Sequence, residues 1–162
     1  MIPDPASRLG QMMAASFRPG RVTWIGLRPG RREPMASVEA VDLIESRGAA
    51  GDRYSRRGGS RQVTLIQAED LAAISSCLGR DISPMDLRRN IVTAGVNLLA
   101  LKGRRFRLGD AVLEHSGECH PCSRMEETFG PGGYNVVRGR GGITARVILS
   151  GRVHVGDAVR DL

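Results

Sequence analysis

The chain has 162 residues, a formal net charge of +7 and 41% hydrophobic residues, enough to bury the core of one domain. Aromatic residues make up only 4%, so the core must be aliphatic and nucleic-acid bases would find no stacking platform. No apolar run approaches the ~20 residues that span a bilayer, and three cysteines are too few for a disulfide framework.

Residues 1–20 contain Pro3, Pro5 and Pro19 and no clear period. They read as a loose arm with a short helix near Gln11 to Ser16. The basic start and long apolar stretch of a signal peptide are missing from them, so a cytoplasmic location is expected. Val22 to Leu27 reads as a strand, Pro29 to Pro34 as a loop and Val38 to Ile44 as a second strand. The stretch from Arg47 to Gly59 is a loop rich in glycine and arginine, where backbone amides beside guanidiniums suit a phosphate cradle. Val63 to Ile66 is a short buried strand. Gln67 to Leu78 is the strongest helix, with Leu71, Ile74 and Leu78 on one face, acidic residues in its first turn and Gly79 as its stop. Cys77, inside this apolar pattern, reads as buried and structural. Ser83 to Leu87 suits a short helix start, and Asn90 to Thr93 is extended.

The C-terminal half holds a local echo. RFRLGDAVLE from Arg105 and RVHVGDAVRD from Arg152 each read as strand, Gly-Asp turn, strand. Gly142 to Leu149 supplies another strand. Many short strands with one strong helix predict a β-rich α+β fold: a closed, mostly antiparallel β-barrel with a few peripheral helices.

The chemistry concentrates between Gly117 and Glu126. Cys119 and Cys122 lie three positions apart around Pro121, with His115, His120 and Arg124 close in sequence. Thiolate sulfur is a soft ligand and a strong nucleophile. Three readings stay open: a structural zinc site completed by His115 or His154, a dithiol redox switch, or a sulfur or soft-metal site. Zinc lacks a second ligand pair, and the redox motif lacks an obvious βαβ strand-to-helix junction. Arg88, Arg89 and Asn90 form a dense group able to grip an anion, and Arg53, Arg56, Arg57 and Arg61 add donors from the glycine-rich loop. A basic loop beside a thiol suits a ligand with a phosphate tail and a soft reactive head. Asp110 and Asp157 read as turn residues, and Glu126 and Glu127 as ordinary surface.

Several segments in order resemble the MOSC domain: GDRY from Gly51, RQVTLIQAED from Arg61, LRRNIVTAGVNLLALKGRRFRLGDAVLE from Leu87, CHPC, RGGITARVI from Arg140 and VGDAV from Val155. That is the C-terminal domain of molybdenum cofactor sulfurases, which also occurs as stand-alone bacterial proteins. The resemblance runs from about Val22 to Asp161, so one domain over 21–162 is expected, with a barrel of the pyruvate-kinase type. It implies binding of molybdenum cofactor, a pterin dithiolene with a phosphate, or carriage of sulfur. By this resemblance Cys122 ligates molybdenum or holds a persulfide, Arg88 and Asn90 anchor the cofactor, and the arginine loop with Arg124 assists. Cys119, seen in only part of the family, would attack the persulfide. Some members reduce N-hydroxylated compounds. The expected partners are therefore a small-molecule substrate or sulfur acceptor and an electron-donor protein, with neither membrane nor nucleic acid. No counterpart of the sulfurases' pyridoxal-phosphate domain is evident, so pyridoxal phosphate is not expected.

Overall fold

The computed structural model describes residues 3–56 and 58–162. Ser7 caps α1 (Arg8–Ala14), its hydroxyl accepting the Gly10 N–H. Next come β1 (Gly20–Leu27), β2 (Ala36–Val38), β3 (Ala40–Ile44) and β4 (Gly48–Ala49). β5 (Val63–Gln67) runs directly into α2 (Ala68–Leu78), and a 3₁₀ turn over Pro84–Leu87 leads to β6 (Ile91–Ala94). A second 3₁₀ turn, Leu98–Leu101, precedes β7 (Arg105–Leu108) and β8 (Ala111–Glu118). α3 (Ser123–Phe129) and α4 (Gly133–Val137) then lead to β9 (Ile143–Leu149), β10 (Gly151–His154) and β11 (Ala158–Asp161).

Strands β11, β7, β8, β9, β5, β6 and β1 are hydrogen-bonded in that order, and β1 pairs back onto β11. The sheet therefore closes into the expected barrel, which removes its free edges. Its pairings are antiparallel except that of β5 with β6. β2 extends β1 outside the barrel, and β10, β3 and β4 form a second, smaller sheet.

Val22, Ile25, Leu65, Phe106, Leu113 and Val159 point into the barrel and are essentially unexposed. A second cluster lies outside the wall, where Leu71 and Ile74 of α2, Met125 and Phe129 of α3 and Val137 of α4 cover Ile66 and Val92. This explains the continuous apolar run VTLI in β5: one face fills the barrel and the other lies beneath helices. Gly79 ends α2 in the left-handed conformation, at φ 69°, as its sequence position predicts.

Four expectations need correction. The short helix lies at Arg8–Ala14 instead of Gln11 to Ser16, because Ser7 supplies the cap. The strand expected over Val38 to Ile44 is two strands. β2 pairs with β1 and β3 with β10, so the chain changes sheets at Glu39. In the echo, only the Arg105 copy is a hairpin. In the Arg152 copy β10 pairs with β3 while β11 pairs with β7 and β1, so equal turn chemistry serves different partners. Cys77 is exposed, because α2 buries the Leu71–Ile74 side and leaves its flank in solvent.

Candidate functional site

The single parallel pairing gathers the basic residues. β5 and β6 start at the same end of the barrel, so Arg61, just before β5, and Arg88 to Asn90, just before β6, arrive together. β1 is antiparallel to β6, so it finishes at that end with Arg28 just beyond it. The Cys119–Cys122 segment joins β8 to α3, with Cys122 as the residue before the first helical turn. This is a strand-to-helix junction. It is not part of a βαβ unit, since β9 returns antiparallel to β8.

Beneath the site lies a buried polar network. The Arg28 guanidinium donates to both carboxylate oxygens of Asp52, at 3.0 and 2.9 Å, and to the Asn90 side-chain oxygen at 2.8 Å. The Asn90 amide nitrogen donates to Asp52 at 3.0 Å and to the Gly26 carbonyl at 3.1 Å. The Asn90 oxygen also accepts from the Thr64 backbone and hydroxyl. Asp52 further accepts the backbone N–H groups of Arg28 and Tyr54, which fixes the start of the glycine-rich loop. Burial alone would raise the Asp52 pKa. The hydrogen bonds and charge of Arg28 more than offset this, and hold the carboxyl below its ordinary value.

Above this network is a cavity of about 510 Å³. It is lined by Arg28, Arg53, Arg61, Arg88, Arg89 and Arg124, together with Tyr54, His120 and Cys122. Cys122 is exposed. Tyr54 stacks against two of the guanidiniums, with Arg28 at 4.5 Å and Arg53 at 4.8 Å from its ring centre. Arg88 adopts the left-handed backbone conformation, at φ 54°, which few non-glycine residues tolerate. Its side chain reaches the backbone carbonyls of Gly30 and Glu33, closing the loop after β1 over one side of the cavity. Arg89 is held by the carbonyls of Gly141, at 2.8 Å, and Leu87, at 2.7 Å. Burial depresses the pKa of both arginines. Repulsion from neighbouring guanidiniums adds to this, while the cysteine sulfurs pull Arg89 the other way.

The residues expected from sequence separate into three groups. Cys122, Arg53, Arg61, Arg88 and Arg124 meet at the cavity. Arg56 is exposed and outside its lining, and Arg57 lies outside the described residues. Asn90 and Cys119 sit behind the wall. Asn90 is 1% exposed with its amide fully engaged, so it can position Arg28 but has no free group for a ligand. Cys119 is 3% exposed, and burial raises its thiol pKa despite Arg89, Arg61 and Arg28 nearby. A shielded, protonated thiol is a poor nucleophile, which counts against the attacking role expected for it.

Sequence reasoning missed Arg28 as a site residue and gave no role to Tyr54. Arg28 stands alone beside Pro29, and only its pairing with Asp52, 24 positions away, marks it. Tyr54 was visible within the GDRY stretch. Among the described residues no three His, Cys, Asp or Glu side chains gather in a way that could hold a metal ion, so His115 and His154 do not complete a zinc site with the cysteines. His154 instead hydrogen-bonds through its backbone to Asp157 beside the second Gly-Asp turn. Glu126, expected as plain surface, accepts the backbone N–H groups of Gly132 and Tyr134, both at 2.8 Å, and ties α3 to α4.

Residues 49–160 match the MOSC domain. The chain belongs to this family. The match takes in the cysteine segment and every cavity arginine except Arg28, which lies upstream. No curated protein sequence matches the chain. Among solved structures, this MOSC chain is similar to the YuaD protein of Bacillus subtilis, with a TM-score of 0.78 at 19% identity over 91% of this chain and 98% of that one. It is also similar to YiiM of Geobacillus stearothermophilus (TM-score 0.73, 15% identity, 88% of this chain and 75% of that one). YiiM of Escherichia coli gives a TM-score of 0.68 at 19% identity, over 88% and 69%. At these identities the likeness establishes the shared barrel. Among the described residues no helix is long and apolar enough to cross a membrane.

Proposed function

We propose that this MOSC domain binds molybdenum cofactor in the arginine-lined cavity and uses it to reduce N-hydroxylated compounds. The observation that carries the reading is the placement of one exposed thiol, Cys122, in a cavity whose wall is otherwise dominated by guanidiniums. The donor set fits the group. A soft thiolate suits molybdenum, guanidiniums suit a phosphate tail, and the volume lies within the ~300–1,000 Å³ typical of small-molecule sites.

In this reading Cys122 is the protein ligand to the metal. Arg61, Arg88 and Arg89 hold the phosphate and pterin end. Arg28, Asp52 and Asn90 fix the floor on which those groups stand. When bound, the cofactor supplies the electron transfer, for which an external donor protein is the partner. The chain's own part is to orient substrate at the cavity mouth, with Tyr54 and His120 on its rim. Cleaving an N–O bond to N–H takes up two electrons and two protons and releases water, and the His120 side chain on the wall can relay a proton to the bound substrate.

The test is elemental analysis of protein purified from a molybdate-supplied host, beside a Cys122→Ser variant. Near-stoichiometric molybdenum in the wild type and its loss in the variant are expected. Zinc in place of molybdenum would move the assignment to a metal-stabilised module. Absence of both, with labile sulfur on Cys122, would favour the second reading, a persulfide carrier. The thiol's exposure favours that alternative, whereas the burial of Cys119 means that the attacking thiol would have to come from the acceptor.

A further inference from the structure

The cavity holds more positive charge than its cofactor can use. Among the described residues six arginines line it, and one of them, Arg28, is neutralised by Asp52 at 2.9 Å. The other five have no carboxylate partner within ion-pair distance among the described residues, and no Asp or Glu lines the wall. Outside the cavity some described arginines, such as Arg21, Arg80 and Arg107, also lack a carboxylate partner, but they do not share one enclosed space, and others are paired. Arg104, Arg105, Arg140, Arg146 and Arg152 each face an acidic side chain. A phosphate monoester brings about two negative charges near neutral pH, a bound Cys122 thiolate brings one more, and the two of the dithiolene are offset by the roughly doubly positive oxo-metal core. About two positive charges then stay unmatched in a partly buried space, where like charges repel more strongly than in water. Burial and repulsion from neighbouring guanidiniums already disfavour the charged forms of Arg88 and Arg89.

We propose that the substrate of this cavity is itself an anion, a small molecule bearing an oxyanion group that the surplus guanidiniums bind. The inference rests on the cofactor reading above and adds the substrate's charge to it. Arg53 is the clearest contributor. It is half-buried beside Tyr54 on the loop that rims the cavity, and no hydrogen bond to a protein oxygen engages its guanidinium. A phosphate ester and a carboxylate share the recognising chemistry, so the test separates them.

Molybdenum content is measured first, and the loaded protein is then titrated calorimetrically with phenyl phosphate, benzoate and benzyl alcohol, with affinities referred to loaded sites. One charge-assisted contact corresponds to about tenfold or more in affinity. At least one oxyanion should therefore bind about tenfold more tightly than benzyl alcohol, weaken as salt rises, and lose most of that advantage in Arg53→Gln. The stronger of the two oxyanions identifies the group. Equal binding of all three probes to loaded protein overturns the inference and leaves the cofactor reading standing. Oxyanion binding untouched by Arg53→Gln places the anion elsewhere and overturns it as well. Protein that takes up no molybdenum removes the cofactor reading, and this inference with it.

Discussion

Asp52 accepts hydrogen bonds from Arg28, Tyr54 and Asn90, and its side chain is 1% exposed, so its ionisation is linked to folding. A carboxyl whose pKa is lower in the folded state than in the unfolded chain stabilises the fold at pH values above the unfolded pKa, about 3.9. That contribution is lost as pH falls through the lowered folded value. Urea melts of the wild type should therefore lose stability on acidification below about pH 4, and Asp52→Asn should flatten that part of the profile. At neutral pH the same substitution leaves the Arg28 charge buried without its partner, at a cost of about 3–5 kcal/mol. A variant as stable as the wild type at pH 7 would show that the pair does not hold the floor of the cavity. At this scale the sequence displayed the functional groups better than their surroundings. Cys122 and the paired arginines were visible from residue type alone. That Asn90 would be consumed by Arg28 and Asp52, or that Cys119 would be sealed while Cys77 was exposed, depends on side-chain contacts between distant segments.

Between the elements, Gly141 is the point where three parts of the site touch. Its carbonyl accepts from Arg89, and a Cβ there would collide with the Cys119 carbonyl and approach the Arg89 guanidinium. Gly141→Ala must push the β8–α3 connection outward. Such overpacking costs about 1–3 kcal/mol and displaces Cys122 together with its backbone. Urea denaturation should report the destabilisation, and the refolded variant should retain less molybdenum than wild type. Unchanged values for both would mean that the segment adapts freely. The strands themselves were legible where alternation or a buried apolar run extends over one partner set, as in β1, β5 and β9. Legibility failed at Glu39, where the pattern runs on although hydrogen-bond partners change, and in the second Gly-Asp copy, whose local chemistry equals that of a true hairpin.

For the molecule as a whole, closure rests on β11. It bridges β7 and β1, and its Val159 is fully buried in the barrel interior. Removing residues 158–162 would expose two strand edges and open the core. The truncated chain should therefore lose cooperative thermal unfolding by circular dichroism. A sharp transition retained without β11 would show that the remaining strands can close by themselves. The closed barrel could be anticipated from many short strands and few helices, but its one parallel pairing could not, because a continuous apolar run such as VTLI reports burial on both faces of β5 and not the direction of its neighbour. That pairing carries a consequence for any isolated piece of this protein. Arg28, Arg61, Arg88 and Arg124 come from four stretches of chain that meet only when the ring of strands is complete, so no excised peptide can reproduce their combined field. Affinity for a negatively charged probe should vanish in step with the last cooperative unit to melt, and would serve as a gauge of whether the ring is shut.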